Sequence, residues 1–377
     1  MAKPKFVFVV GTRPDAIKTA PVVLEFRKYA DLADTILIST GQHREMLAQA
    51  LDAFGLKPQI DLDIMAHGQS LADVTRRILE GLDRAFTEIE PDMVFGQGDT
   101  SSTFVAGLAS FYRQIPYGHI EAGLRTDTVW NPFPEEFNRR AVSLFAKLHF
   151  APTSWSAANL RHEHIDPQSI FVTGNTGIDA VKTVADIHDK EWYPEHKGRL
   201  ILLTTHRREN WGEPQRDIAR AAKRLLDDYP DALLVVPMHR NPTVRQTLEA
   251  ELGDHLRADL IEPPEYMDFV KLLARCDLAL TDSGGVQEEA PAFGKPVFVL
   301  RETTARPEGV EAGTAMLVGT DQDAIVHAVK TVMDSPEEYK KMAHATSPYG
   351  DGLASARIRY VTLNSFGIES PEVPMWI

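Results

Sequence analysis

Short apolar runs alternate along this chain with longer stretches in which apolar residues recur every three or four positions. The short runs, bounded by Gly, Pro, Asn and Asp, fit strands buried on both faces, and the longer spacing fits amphipathic helices. In the first half the runs predict strands at Lys5–Val10, Thr35–Ser39, Met93–Phe95, Tyr117–Ile120, Leu148–Ala151 and Ile170–Val172. Between them, the spacing predicts helices over Ala16–Tyr29, Arg44–Phe54, Leu71–Glu88 and Phe137–Phe145, with Leu71, Val74, Ile78 and Leu82 marking one face.

The pattern then restarts. Strands are predicted at Leu200–Thr204, Ala232–Pro237, Leu260–Ile261, Leu278–Leu280, Pro296–Leu300 and Met316–Val318. Helices at Asp217–Tyr229, Thr243–Leu252, Met267–Cys276, Val286–Phe293 and Gln322–Met333 separate them. The alternation predicts an α/β protein of two doubly wound, Rossmann-like domains, with ligands at the carboxyl ends of the strands and across a central cleft. The seam is expected near Gly174-Asn175-Thr176-Gly177, giving an N-terminal domain over 1–172 and a C-terminal domain over 173–353.

A length of 377 residues suits two domains. With 54 acidic against 40 basic residues, the net charge of −14 argues against a nucleic-acid binder, which needs surplus positive charge, but leaves room for a small phosphorylated ligand on a local basic cluster. The single cysteine, Cys276, can form neither an intrachain disulfide nor a thiolate-only metal site, and its apolar neighbours suggest a buried structural thiol. The apolar run Phe6–Val10 is too short for a signal peptide, and no stretch approaches a membrane span; a cytoplasmic location is expected.

Polar and glycine residues gather where strands end. The first strand leads into Gly11-Thr12-Arg13-Pro14-Asp15-Ala16-Ile17-Lys18, a glycine turn and helix start flanked by two cations, Arg13 and Lys18, suited to an anion. Three further strand ends carry acids: Asp99 in GQGDTSST, Glu121 in HIEAGLRT, and Glu135 with Glu136 in NPFPEEFNRR. Each alone could cap a helix; three at one rim point to acid/base chemistry. In the second half, His206-Arg207-Arg208 suits a phosphate or carboxylate. PMHRNP brings His239 and Arg240 to another strand end, and Asp282-Ser283-Gly284-Gly285 opens a helix bearing Glu288 and Glu289. TTARPEG contributes Arg306. No Walker sequence or complete dinucleotide fingerprint is present, so NAD is unsupported, and His162-Glu163-His164 with Asp166 lacks metal-ligand helical spacing.

In this order the motifs VGTRPDAIKTAP, TGQHREML, GDTSST, HIEAGLRT, PFPEE, GNTGID, THRREN, DSGGVQEEAPAFGKPV, TTARPEGVEAGT and SPYGDG resemble the non-hydrolysing UDP-N-acetylglucosamine 2-epimerases. The resemblance implies a glycosyltransferase-B type fold whose last helix, about 354–377, rejoins the N-terminal domain, and a homodimer. It implies interconversion of UDP-GlcNAc and UDP-ManNAc by elimination of UDP to 2-acetamidoglucal and re-addition, with no redox cofactor and no metal. Matched motif by motif, Asp99, Glu121 and Glu135 are acid/base candidates, His206 lies near the diphosphate and assists departure of UDP, and Arg13 and Lys18 stabilise the nucleotide or the separated ion pair. Phe269, Ser283, Gly284, Gly285, Glu289 and Arg306 fall at the UDP site. Asp15 stands where the family commonly has Glu. Gln42, Glu136, Arg207 and His239 match a second, activating UDP-GlcNAc site, although Ala66-His67-Gly68-Gln69 lacks the basic residue some activated members carry. The same fold could also serve an epimerase of a modified UDP-sugar, a hydrolysing relative or a glycosyltransferase. A sugar-nucleotide sensor would keep the Arg306 and Glu289 site but lose the chemistry.

Overall fold

The computed structural model describes residues 3–41, 44–66, 68–304 and 306–376. The chain forms two compact units, Met1–Ala180 with Gly350–Ile377, and Val181–Tyr349. The division falls inside the helix Thr176–Ile187.

Unit 1 holds β1 (Lys5–Val10), β2 (Asp34–Ser39), β3 (Ile60–Asp61), β4 (Met93–Gln97), β5 (Tyr117–Ile120), β6 (Leu148–Ala151) and β7 (Ile170–Val172) in the order β3-β2-β1-β4-β5-β6-β7, with every pairing parallel. Strand β1 shows why its run is apolar throughout. Phe6 and Phe8 point to one layer, where Phe26 and Phe95 meet them edge-on or stacked, with the Phe8 and Phe95 centroids 4.6 Å apart. Val7 and Val9 point to the other, among Val74, Ile78, Leu82 and Val105. Leu71, expected on that face, is 47% exposed because it is the first residue of the helix Leu71–Ile89 and projects beyond the core.

Unit 2 repeats the plan with β8 (Leu200–Thr204), β9 (Leu233–Pro237), β10 (Ala258–Ile261), β11 (Leu278–Thr281), β12 (Val297–Val299) and β13 (Ala315–Leu317), ordered β10-β9-β8-β11-β12-β13. Ile201 and Leu203 join one buried cluster, Leu200 and Leu202 the other. Cys276 is buried in the second, its thiol donating to the Leu273 carbonyl and pushed up to about 12 by loss of water. Both units are thus doubly wound, with a reversal of strand order between β1 and β4 and again between β8 and β11.

The apolar pattern does not predict strand β3 or the helices Ser101–Tyr112, Ser154–His162, Thr176–Ile187, Pro307–Glu311 and Pro336–Ala343. Strand β3 is too short to leave one. The helix Ser101–Tyr112 buries Ser102, Thr103, Gly107 and Ser110 along with its apolar residues, so no apolar stripe stands out. In unit 1 the helix Ala354–Ser365 packs on the helix Arg13–Arg27. Asp179 accepts from the Ala354 and Ser355 amides at 3.2 and 2.7 Å, and Arg359 is buried against Tyr29, Ser370 and Pro371. Among the described residues no helix is long and apolar enough to cross a membrane.

Candidate functional site

The reversal between β1 and β4 is where a doubly wound sheet opens a crevice at its carboxyl edge. The loops there approach so closely that a Cβ on Gly11 would lie 1.9 Å from Ser102 Oγ, so only glycine fits. Asp15, buried in the first turn of the helix Arg13–Arg27, closes the β1 loop. Its carboxylate accepts from the Gly11 amide (3.0 Å), the Thr12 amide and hydroxyl (2.6 Å each), and the Thr100 hydroxyl of the β4 loop (3.3 Å). Burial raises its pKa, and those hydrogen bonds oppose the rise. Asp15 is therefore structural glue between two loops; Arg13 and Lys18 leave the same helix.

The three expected acids come together beyond these loops. Asp99 follows β4, and its carboxyl is raised first by burial and then by the charges of Glu121 and, more weakly, Glu135, against the lowering effects of Arg139 and Lys18. Glu121 follows β5 with a left-handed backbone, φ 64°, a conformation that costs a non-glycine residue energy and is common at functional positions. Its carboxylate pairs with Lys18 and sits close to the Gly98 turn: a Cβ there would be 3.8 Å from Glu121 Oε1. Buried His119 holds that turn, donating to the Gly98 carbonyl at 2.7 Å; loss of water draws its pKa down to about 3, so the ring is neutral. Glu135 opens the helix Glu135–Ser143.

Behind the acids runs a chain of alternating charge. Arg139 bridges Asp99 (3.0 Å) and Glu136; Arg140 joins Glu136 (2.6 Å) to Glu163 (3.2 Å); and Arg125 grips Glu163 through two nitrogens at 2.8 and 2.7 Å. Glu136 has no exposed surface. Burial alone would raise its pKa, but the Arg140 and Arg139 hydrogen bonds and the Thr126 amide hold it below the ordinary carboxylate range. The Glu136 carboxylate serves this network through Arg139 and Arg140. Glu163 belongs to the same network. Gln42 lies outside the described residues.

In unit 2 the reversal between β8 and β11 brings His206 and Asp282 together. Thr204 and Thr281 are register partners at the two strand ends, and the next residues meet across the gap: His206 Nδ1 lies 3.0 Å from Asp282 Oδ1. The His239 ring stacks on His206 with centroids 5.7 Å apart, and the Arg207 Nε donates to the Asp282 carbonyl. Ser283 precedes the short helix Gly284–Glu289, and space around Gly284 is open: no atom outside the turn lies within 4 Å of a Cβ built there. Glu289 is half-buried on that helix. Arg306 forms an ion pair with the neighbouring Glu288, and its amide is held by Thr304, which in turn bonds Gln287. Phe269 is partly buried against the apolar cluster beside β8 and β11.

Sequence reasoning passed over Asp282 as a candidate in its own right, along with Arg139 and His119. Asp282 stood only within the run that opens the glycine-rich helix start, and Arg139 only within NPFPEEFNRR. A signal was present for Arg139: it follows Glu135 and Glu136 at helical spacing, so it returns to their face.

A profile of the family described as UDP-N-acetylglucosamine 2-epimerase matches residues 27–362. The UDP-N-acetylglucosamine 2-epimerase of Bacillus subtilis (strain 168) is 50% identical over 371 residues, 97% of each chain. A crystal structure of a UDP-N-acetylglucosamine 2-epimerase aligns with a TM-score of 0.93 at 47% identity, covering 100% of both chains. The crystal structure of UDP-GlcNAc 2-epimerase from Neisseria meningitidis bound to UDP-GlcNAc aligns with a TM-score of 0.81 at 44% identity, covering 96% of this chain and 100% of that one.

Proposed function

The chain belongs to the UDP-N-acetylglucosamine 2-epimerase family, and from that premise we propose that it interconverts UDP-GlcNAc and UDP-ManNAc by eliminating and re-adding UDP. The observation that carries the chemistry is the grouping of Asp99, Glu121 and Glu135 with Lys18 at the carboxyl edge of the first sheet. A carboxylate removes the proton on carbon 2 while the bond from carbon 1 to the UDP oxygen breaks and its electron pair stays on the phosphate. The product is 2-acetamidoglucal. UDP then returns to carbon 1 as a proton is delivered to the opposite face of carbon 2.

No carbonyl activates that proton, so stabilising the departing diphosphate must lower much of the barrier. His206, Arg13 and Lys18 are assigned to that role. Ser283, Gly284 and Gly285 offer amides to the diphosphate, Glu289 addresses the ribose, and Arg306 and Phe269 flank the nucleotide. Acids at several strand ends supply proton transfer on both faces of the sugar, which a transferase acting on one face does not need.

The reading is tested by NMR of UDP-GlcNAc with the protein in deuterium oxide. Deuterium at carbon 2 together with UDP-ManNAc is expected; free ManNAc would indicate hydrolysis, and an unchanged substrate would overturn the proposal. The reading includes a cytoplasmic homodimer. It is supported by an exposed apolar patch on unit 1, where Phe111 and Leu144, the latter 84% exposed, line one shallow cavity beside Tyr112.

A further inference from the structure

We infer that Asp282 is the positioning residue of His206, holding its imidazole in the Nδ1–H tautomer so that Nε2 is the nitrogen that exchanges a proton with departing UDP. The inference rests on the proposed function for the identity of the leaving group; the pairing itself rests on geometry. His206 sits at a strand end on a side chain with two free torsions and is partly exposed, so an unanchored ring would sample several rotamers and both tautomers.

Asp282 removes that freedom. Its carboxylate is wholly buried and accepts from the Thr205 hydroxyl (3.0 Å), the His206 amide (2.9 and 3.1 Å), the Arg207 amide (3.0 Å) and the Asn210 side-chain amide (3.0 Å). Asn210 is itself fixed by the Leu300 carbonyl at 3.0 Å. Every one of these partners is a donor, so the carboxylate can neither turn nor usefully hold a proton. The group that meets Oδ1 from the ring side is His206 Nδ1, and an ionised carboxylate only accepts; the Nδ1 nitrogen therefore carries a hydrogen. His239 stacked on the ring fixes its plane.

The consequence for the reaction is balanced in charge and protons. Nε2 of the Nδ1–H ring first takes up a proton from solvent; when the bond from carbon 1 to UDP breaks, the electron pair remains on the phosphate oxygen and that proton moves toward it, leaving the neutral Nδ1–H ring. The buried carboxylate offsets the positive charge of the ring before transfer. On re-addition the proton returns to Nε2. This is the arrangement by which a carboxylate orients a catalytic imidazole without itself being protonated.

The test combines tautomer and kinetics. Nitrogen-15 NMR of the histidine side chains, with His206 assigned by His206→Gln, should show the Nδ1–H tautomer in the unsubstituted protein. An Nε2–H neutral ring there would overturn the inference with no variant of Asp282 required. In Asp282→Asn, one side-chain amide hydrogen must oppose a donor, the Nδ1–H population should fall, and kcat for UDP-GlcNAc should drop about 100-fold, with KM changed less than about threefold. Adding His206→Gln should cost little more, because the two residues act through one proton. Wild-type kcat in Asp282→Asn, or full additivity, would overturn the inference. Wild-type turnover in His206→Gln alone, with the tautomer as expected, would instead remove the catalytic role of His206 and leave the pairing intact.

Discussion

Asp99 and Glu136 both bind Arg139, yet their surroundings move their carboxyls in opposite directions. Asp99 is desolvated among like charges, and Glu136 is enclosed by two arginines. A carboxyl raised by burial and like charges holds its proton more readily than an ordinary aspartate and is suited to proton exchange, whereas a lowered one remains a fixed anion. Asp99→Asn should therefore reduce turnover by at least about 100-fold while near-ultraviolet circular dichroism stays unchanged. Since the ionised form is the base, kcat should also decline reversibly as pH falls, with a midpoint above the ordinary aspartate value. At this scale the sequence was partly legible. Asp99, Glu121 and Glu135 stood out because each follows a strand and a turn. Arg139, His119 and Asp282 did not, because their roles depend on which loops the sheet order brings together, and spacing along the chain carries none of that.

At the scale of elements, the helix Glu135–Ser143 is more than a carrier of one acid. It presents Glu136, Arg139 and Arg140 at three- and four-residue intervals, so a single turn assembles the center of the charge network. Removing Glu136 leaves Arg139 buried with one anion fewer. Glu136→Ala should cost about 3 kcal/mol of stability, measured by urea denaturation, and should impair turnover through Arg139. The helix Ala354–Ser365 gives a second case. Burial raises Asp179 to about 6 despite the Ser355 and Ala354 amides it caps. Its folded pKa lies above the unfolded value, so the ionised group opposes folding above pH 6 and that penalty fades as pH falls toward 4. The protein should gain up to about 3 kcal/mol from this group between pH 7 and pH 4. Asp179→Asn should flatten that part of the Tm-against-pH curve; an unchanged slope would contradict the assignment. Most strands were legible as apolar runs, since parallel sheets are buried on both faces. The helix Ser101–Tyr112 was not, because close packing at Gly107 and buried hydroxyls replaced its apolar stripe.

For the whole molecule, the two sheets share one winding, and each places polar side chains where its strand order reverses. The restart of the apolar pattern after the seventh strand revealed the repetition; the division within the helix Thr176–Ile187 left no mark, since a continuous helix has no break in composition. The net charge of −14 argued against a nucleic-acid partner but said nothing of where individual cations such as Arg13, Lys18 and Arg306 fall in each unit. The proposed homodimer makes a prediction at this scale. Leu144→Asp, which places a charge on the exposed apolar patch, should convert a dimer to monomers in sedimentation velocity at micromolar concentration, and a dimer that persists would place the interface elsewhere.

The discontinuity of unit 1 has a consequence in time. Val181–Tyr349 is contiguous, so a ribosome delivers all of unit 2 before it delivers Gly350–Ile377, the segment that closes unit 1. Residues 1–180 leave the tunnel first, yet they wait for the last helix to cover the face of the helix Arg13–Arg27 on which it packs. The unit that begins first is completed last, and during that interval the nascent chain carries a helix face that its partner helix has yet to cover.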